Sequence, residues 1–247
     1  MKYVPRIDKC YWSVLIVASI VGANAGDFLS DVVDLGHVSG LPFLAAVLLA
    51  IFTAASFGRR APGAYYWAAI ITIRAAATNI GDCLHDFGIS FAAAVPAVAA
   101  LLVAVLVVWH VAERRHSNAA AIPVDGFYWV SMTLAGILGT LAGDAMSYAV
   151  GLGNLDAMLV FAVPLAAALA LGGKSLSTWL AVYWPVIALI RSAGTAAGDL
   201  LAHGPIGLVG STALTAAVFA GLVFALYVRR RDHLVAVGSK AELLPSA

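Results

Sequence analysis

Eight apolar stretches, each near the roughly 20 residues that a helix needs to cross a bilayer core, take up almost the whole 247-residue sequence. They run approximately over 10–34, 39–58, 65–87, 90–112, 126–150, 156–173, 177–202 and 206–229. Backbone groups in hydrocarbon must be bonded within their own segment, which leaves the helix as the natural form of each stretch. Composition agrees: 62% of the residues are hydrophobic, 11% are charged and the mean hydropathy is +0.95, values outside the range of an ordinary soluble domain. The chain therefore reads as an all-α integral membrane protein, one membrane domain over 1–247, with the lipid bilayer as its solvent.

Basic residues set the orientation. Lys2, Arg6 and Lys9 precede the first stretch; Arg59 and Arg60 follow the second, Arg114 and Arg115 the fourth, Lys174 the sixth, and Arg229 to Arg231 the eighth. The turns near 35–40, 87–91, 150–156 and 203–207 carry neither Lys nor Arg. The positive-inside rule then puts both termini in the cytoplasm. The first stretch has no small-residue cleavage pattern and is expected to be retained as a helix. Net charge is +1, so nucleic acid is not an expected partner. Cys10 and Cys83 fall at opposite depths, without metal-type spacing.

Self-comparison reveals four repeats. Tyr11-Trp12, Tyr66-Trp67, Tyr128-Trp129 and Tyr183-Trp184 are matched by Gly26-Asp27, Gly81-Asp82, Gly143-Asp144 and Gly198-Asp199, and every Trp precedes its Asp by 15 residues. Successive aspartates are 55, 62 and 55 apart, the mark of a two-repeat half duplicated across the 113–125 connection. The repeats are two-helix hairpins over 10–60, 65–112, 126–173 and 177–231. Each holds an even number of spans, so all four enter the membrane in the same sense, as parallel repeats of one pseudo-symmetric bundle. No obligate protein partner is needed to complete such a bundle. The Tyr-Trp pairs are expected at the inner interface, where amphipathic rings are favoured. The aspartates fall roughly 22 Å further along an untilted helix at 1.5 Å per residue.

Residues four apart share a helix face. Stepping by four gives Ser19, Ala23, Asp27 and Asp31; then Arg74, Thr78, Asp82 and Asp86; then Gly136, Thr140, Asp144 and Tyr148; then Arg191, Thr195, Asp199 and His203. Asn24 and Asn79 stand three before their Asp. The odd helices thus carry a polar stripe and are expected inside, with the even helices facing lipid. Small residues sit five and one positions before each Asp: Gly22 and Gly26, Ala77 and Gly81, Gly139 and Gly143, Gly194 and Gly198. Small-xxx-small spacing of this kind lets helices approach closely.

An intramembrane acid is by default a functional candidate. Arg74 and Arg191 cannot neutralise Asp27, Asp82, Asp144 and Asp199, still less the accessory acids Asp31 and Asp86. Protons or a cation must make up the difference. Carboxylates, amides and hydroxyls are hard oxygen donors suited to Mg²⁺, Ca²⁺ or Mn²⁺. The expected metal ligands are Asp27, Asp82, Asp144 and Asp199 with Asn24 and Asn79, and Arg74 and Arg191 are the expected counter-ions. His85 and His203 stand near the outer mouth, with Asp34, His37 and Asp156 in the outer turns.

The motifs YWSVLIVASIVGANAGDFLSD, YYWAAIITIRAAATNIGDCLHD, FYWVSMTLAGILGTLAGDAMS and YWPVIALIRSAGTAAGDLLA resemble a family of bacterial multi-spanning proteins known as uncharacterised membrane-anchored proteins, which also carry four aromatic-start, Asp-containing repeats. The resemblance covers nearly the whole chain, its third and fourth motifs standing closest. It implies the fold, the repeats and a bacterial inner membrane, and transfers no chemistry. From the residues, the expected function is transport or export of a divalent cation, Mn²⁺ first, with proton exchange as a coupling. The alternative is a non-transporting scaffold or sensor whose Asp/Arg stripe is an ion-pair network. With no nucleophile-plus-base pair and no metalloprotease motif, an enzyme is not expected.

Overall fold

The computed structural model describes residues 4–57, 62–113, 122–171 and 180–242. Lys2, Arg59, Arg60, Arg114, Arg115 and Lys174, which carry much of the orientation argument, lie outside the described residues. Every regular element among those described is helical: α1 (Lys9–Asp27), α2 (His37–Phe57), α3 (Pro62–Asp86), α4 (Phe91–Glu113), α5 (Gly126–Asp144), α6 (Gly153–Leu171), α7 (Leu180–Ala202) and α8 (Gly207–Glu242). α1 and α5 each run on into one π-helical turn, Phe28–Val32 and Ala145–Ala149. The expected stretches match these helices closely, except that α8 continues past residue 229 to Glu242.

Seven of these helices are long and apolar enough to cross a membrane. The eighth, α3, has 25 residues but carries Arg74, Asp82 and Asp86 along its length. Its charge is tolerable because of where it packs. α1, α3, α5 and α7 form an inner ring in which each touches its two sequence neighbours and α7 closes on α1. All four run in one direction, since the tyrosines near their N-terminal ends meet at one level.

The outer helices are assigned by an unexpected rule. α2 packs on α3, α4 on α5, α6 on α7, and α8 on α1. Each outer helix thus leans mainly on the inner helix of the following repeat. Of the most apolar window of α2, α4, α6 and α8 only 11% is buried, against 50–61% for α1, α5 and α7, which is the expected division into inner and outer helices. Leu49, Val103, Val163 and Phe224 are more than half exposed on that outer face.

The turns joining inner to outer helices are short. Three contain a glycine at positive φ (Gly36, Gly88 and Gly151), and the fourth leads into one at the first residue of α8, Gly207, a conformation that glycine adopts without steric cost.

Within the ring, the small residues act as seats. A Cβ on Gly22 would fall 2.6 Å from the Cβ of Arg74, and one on Gly136 would fall 2.6 Å from that of Ala77. Gly139 abuts Arg191, and Gly194 abuts Ser19. One turn on, Gly26 faces Thr78, Gly81 faces Thr140, Gly143 faces Thr195 and Gly198 faces Ala23 and Asn24. The small-residue spacing is helix packing, repeated at all four interfaces.

Candidate functional site

Because the four inner helices are parallel and in register, residues at the same offset from their Asp form layers across the axis. The layer sixteen residues before the acids is Tyr11, Tyr66, Tyr128 and Tyr183, at most 1% exposed. Their hydroxyls close a ring: Tyr11–Tyr66 at 3.0 Å, Tyr66–Tyr128 at 2.6 Å, Tyr128–Tyr183 at 3.3 Å and Tyr183–Tyr11 at 2.5 Å. Each hydroxyl has one neighbour to donate to and one to accept from, so a polar ring sits in an apolar core without an unmet group. The tryptophans brace it, each packing on the tyrosine of an adjacent helix with ring centroids 5.6–6.0 Å apart. This corrects the expectation of interfacial Tyr-Trp anchors. The tyrosines are core residues, because their hydroxyls find partners in one another rather than in water.

The next layer, Leu15, Ile70, Met132 and Ile187, is wholly buried and apolar. Above it lie Ser19, Arg74, Gly136 and Arg191, then Ala23, Thr78, Thr140 and Thr195, all buried. Arg74 Nη1 donates to Thr78 Oγ1 at 2.7 Å and Thr140 Oγ1 at 2.9 Å, and Nη2 donates to Thr195 Oγ1 at 2.5 Å. One guanidinium laces three inner helices together. Thr78 and Thr195 donate hydrogen bonds from their own hydroxyls to the carbonyls of Arg74 and Arg191 one turn back, leaving lone pairs for Arg74. Ala23 is the one member of the layer without a hydroxyl.

The acids come next. Asp27, Asp82, Asp144 and Asp199 are half-buried, and beyond them Asp31, Asp86, Tyr148 and His203 are exposed. Exposure thus falls away at the aspartate layer, and the four layers from there towards the tyrosine end are buried. The acids feel one another, Asp27 being repelled by Asp82 and Asp199, and Asp144 by Asp199, Asp82 and Asp27.

Neither arginine pairs with them. Among the described residues the basic nitrogen within 4 Å of a carboxylate is His37 Nδ1, 3.6 Å from Asp82 Oδ2, and Arg191 reaches the Sδ of Met132 at 3.7 Å. The expected counter-ions thus serve threonine and methionine in this arrangement. Nor are three His, Cys, Asp or Glu side chains, among those described, gathered closely enough to hold a metal ion.

The asparagines also differ from expectation. Asn24 Nδ2 donates to Ser211 Oγ of α8 at 3.1 Å, and Asn79 lies against Gly26 of α1 and Gly40 of α2. Successive positions are about 100° apart around a helix, so residues three before the acid turn into the inter-repeat seams while those four before it line the axis. His85 stacks on Phe91 at 4.7 Å, and His203 Nδ1 lies 2.8 Å from the carbonyl of Asp199.

Three residues had no distinct role in the sequence. His37 has no counterpart at its offset in the other repeats, so nothing in the pattern marks it. Ser19 already stands on the polar stripe, with no role assigned to it, and Met132 becomes visible only once the step of four is carried back one turn beyond Gly136.

The repeat model described as "Repeat of Unknown Function (DUF347)" matches residues 10–61, 65–115 and 182–232. That is more than half of the chain. The protein belongs to this repeat family. The third repeat, expected among the nearest to its relatives, is not among those matched, although its layers align with the other three. Comparison with curated proteins and with solved structures returns no match.

Proposed function

We propose that this member of the repeat family is a membrane transporter that takes a divalent cation onto the ring of Asp27, Asp82, Asp144 and Asp199 from the aspartate end. In this reading the eight helices span a bacterial inner membrane with both termini cytoplasmic, and the aspartate end faces outward. The observation that carries it is the level set of four half-buried carboxylates that neither buried arginine neutralises. Acids so placed are costly unless something replaces their hydration. Hard oxygen donors favour Mn²⁺, Mg²⁺ or Ca²⁺ as cargo, with Mn²⁺ the first to test. Since three of the described acids do not share one ion in this arrangement, cargo must draw the ring inward. Arg74, one layer below, then becomes the moving part: releasing its threonines would both open the seal and bring its charge to the acids as cargo leaves.

A non-transporting scaffold is the second reading, favoured by the closed tyrosine ring and the lacing of Arg74. Its ion-pair form expects arginines bonded to acids, and here they bond to threonine and methionine.

A metal panel in a thermal-unfolding assay separates the two, run on the wild type and on Asp27→Asn, Asp82→Asn, Asp144→Asn and Asp199→Asn. Transport expects saturable stabilisation by one divalent ion, weakened in every variant, together with altered cellular metal content for Asp144→Asn and Asp199→Asn. If no ion stabilises the wild type, and folded variants leave metal content unchanged, the transport reading falls.

A further inference from the structure

The layer of Ser19, Arg74, Gly136 and Arg191 holds two full positive charges, and nothing described so far answers the second. The two arginines belong to diagonal helices of the ring. They leave their layer in opposite directions: Arg74 bonds the threonines one turn towards the aspartate end, and Arg191 reaches Met132 one turn towards the tyrosine end. The remaining positions of the layer are filled by serine and glycine, which carry the smallest side chains.

What stays behind is a set of unmet donors. Arg74 Nε, Arg191 Nε, Arg191 Nη1 and Ser19 Oγ have no hydrogen-bond partner, although all three residues are 0% exposed. Arg74 faces the acids across one layer, with its charge spread over three threonine hydroxyls. Arg191 turns the other way, towards Met132 and the tyrosine layer, whose hydroxyls are already committed to one another. A guanidinium does not give up its proton in a protein, and an unpaired charge in an apolar interior is among the costliest groups a fold can hold. Water would meet the donors but leave the charge.

We propose that this layer is a binding site for one small monovalent anion of about chloride's size, held by Arg191 with Ser19 Oγ and Arg74 Nε. A single-atom anion suits a space bounded by the apolar layer of Leu15, Ile70, Met132 and Ile187 on one side and the laced threonines on the other. It accepts from guanidinium N–H groups and a hydroxyl without any directional demand. The site lies eight residues from the acids, roughly 12 Å along the helices, and shares only Arg74 with the cation reading; binding of the anion needs only the folded protein.

The test uses the full chain purified in detergent, exchanged into gluconate and titrated with sodium chloride or sodium bromide at constant ionic strength. The expected result is a saturable rise in melting temperature with both halides and none with further gluconate. Arg191→Met is expected to abolish the halide dependence. Should that variant fail to fold, Ser19→Ala, which deletes an unpartnered hydroxyl, is expected to raise the halide midpoint several-fold. Crystals grown in bromide are expected to show an anomalous peak beside Arg191. Equal melting temperatures of the wild type in chloride and gluconate would overturn the proposal, as would a halide response left undiminished in both variants.

Discussion

Small residues of the inner ring are fitted to particular atoms of the next helix, and the fit is least forgiving where such an atom belongs to the backbone. A methyl at Gly139 would stand 2.7 Å from the carbonyl carbon of Arg191 and 3.0 Å from its Cα, neither of which can swing aside. Gly139→Ala is therefore expected to cost about 1–3 kcal/mol or more, read as a lower unfolding midpoint in mixed micelles. Gly221, inside α8 with nothing within 4 Å, is the control: Gly221→Ala should be neutral or stabilising by up to about 1 kcal/mol. The tyrosine ring makes a third expectation. Tyr11→Phe leaves the hydroxyls of Tyr66 and Tyr183 each one partner short, for a loss of about 1–3 kcal/mol in the same assay. A Tyr11→Phe protein as stable as wild type would mean that the ring does not contribute as a closed unit.

At the scale of elements, the four repeats sort into two kinds. The first and third begin with a capping aspartate, Asp8 or Asp125, that accepts the backbone N–H of the ring tyrosine at 2.9 Å, and end in a π turn. The second and fourth carry the buried arginines. Asp8→Ala and Asp125→Ala should each cost about 1 kcal/mol, measured by chemical unfolding, and the pair should add, since they cap diagonal helices. Much of this architecture was legible beforehand. The step of four and the small residues are arithmetic along one chain, so helices, layers and the inside–outside division follow from periodicity. The tyrosine ring was hidden because an aromatic at a helix start reads the same whether it faces lipid headgroups or three copies of itself. Only carrying the step of four back twelve residues beyond Ala23, Thr78, Thr140 and Thr195 reveals it. The partners of Arg74 and Arg191 were illegible for another reason. Spacing places a charge on a face, but rotamer and neighbour decide whether it reaches an acid, a hydroxyl or a sulfur. The seam asparagines show how sharp that limit is, one position separating the axis from an interface.

For the molecule as a whole, the ring closes through α7 against α1 and α8 against α1, and the two halves of the chain meet at like interfaces on both sides. Residues 1–116 and 117–247, produced as separate chains in one cell, are expected to assemble into a complex that co-purifies and unfolds cooperatively, whereas either half alone should be degraded or aggregate. Recovery of a stable, monomeric half would contradict the interlocked ring. The offset of outer helices also has a consequence for manufacture. α1 is made before the other seven helices, yet the helix that covers it is made after the rest, whereas α3, α5 and α7 each emerge to find their cover already made. The polar-striped α1 therefore waits uncovered while α2 to α7 are made, and the arrival of α8 is the event that seals it.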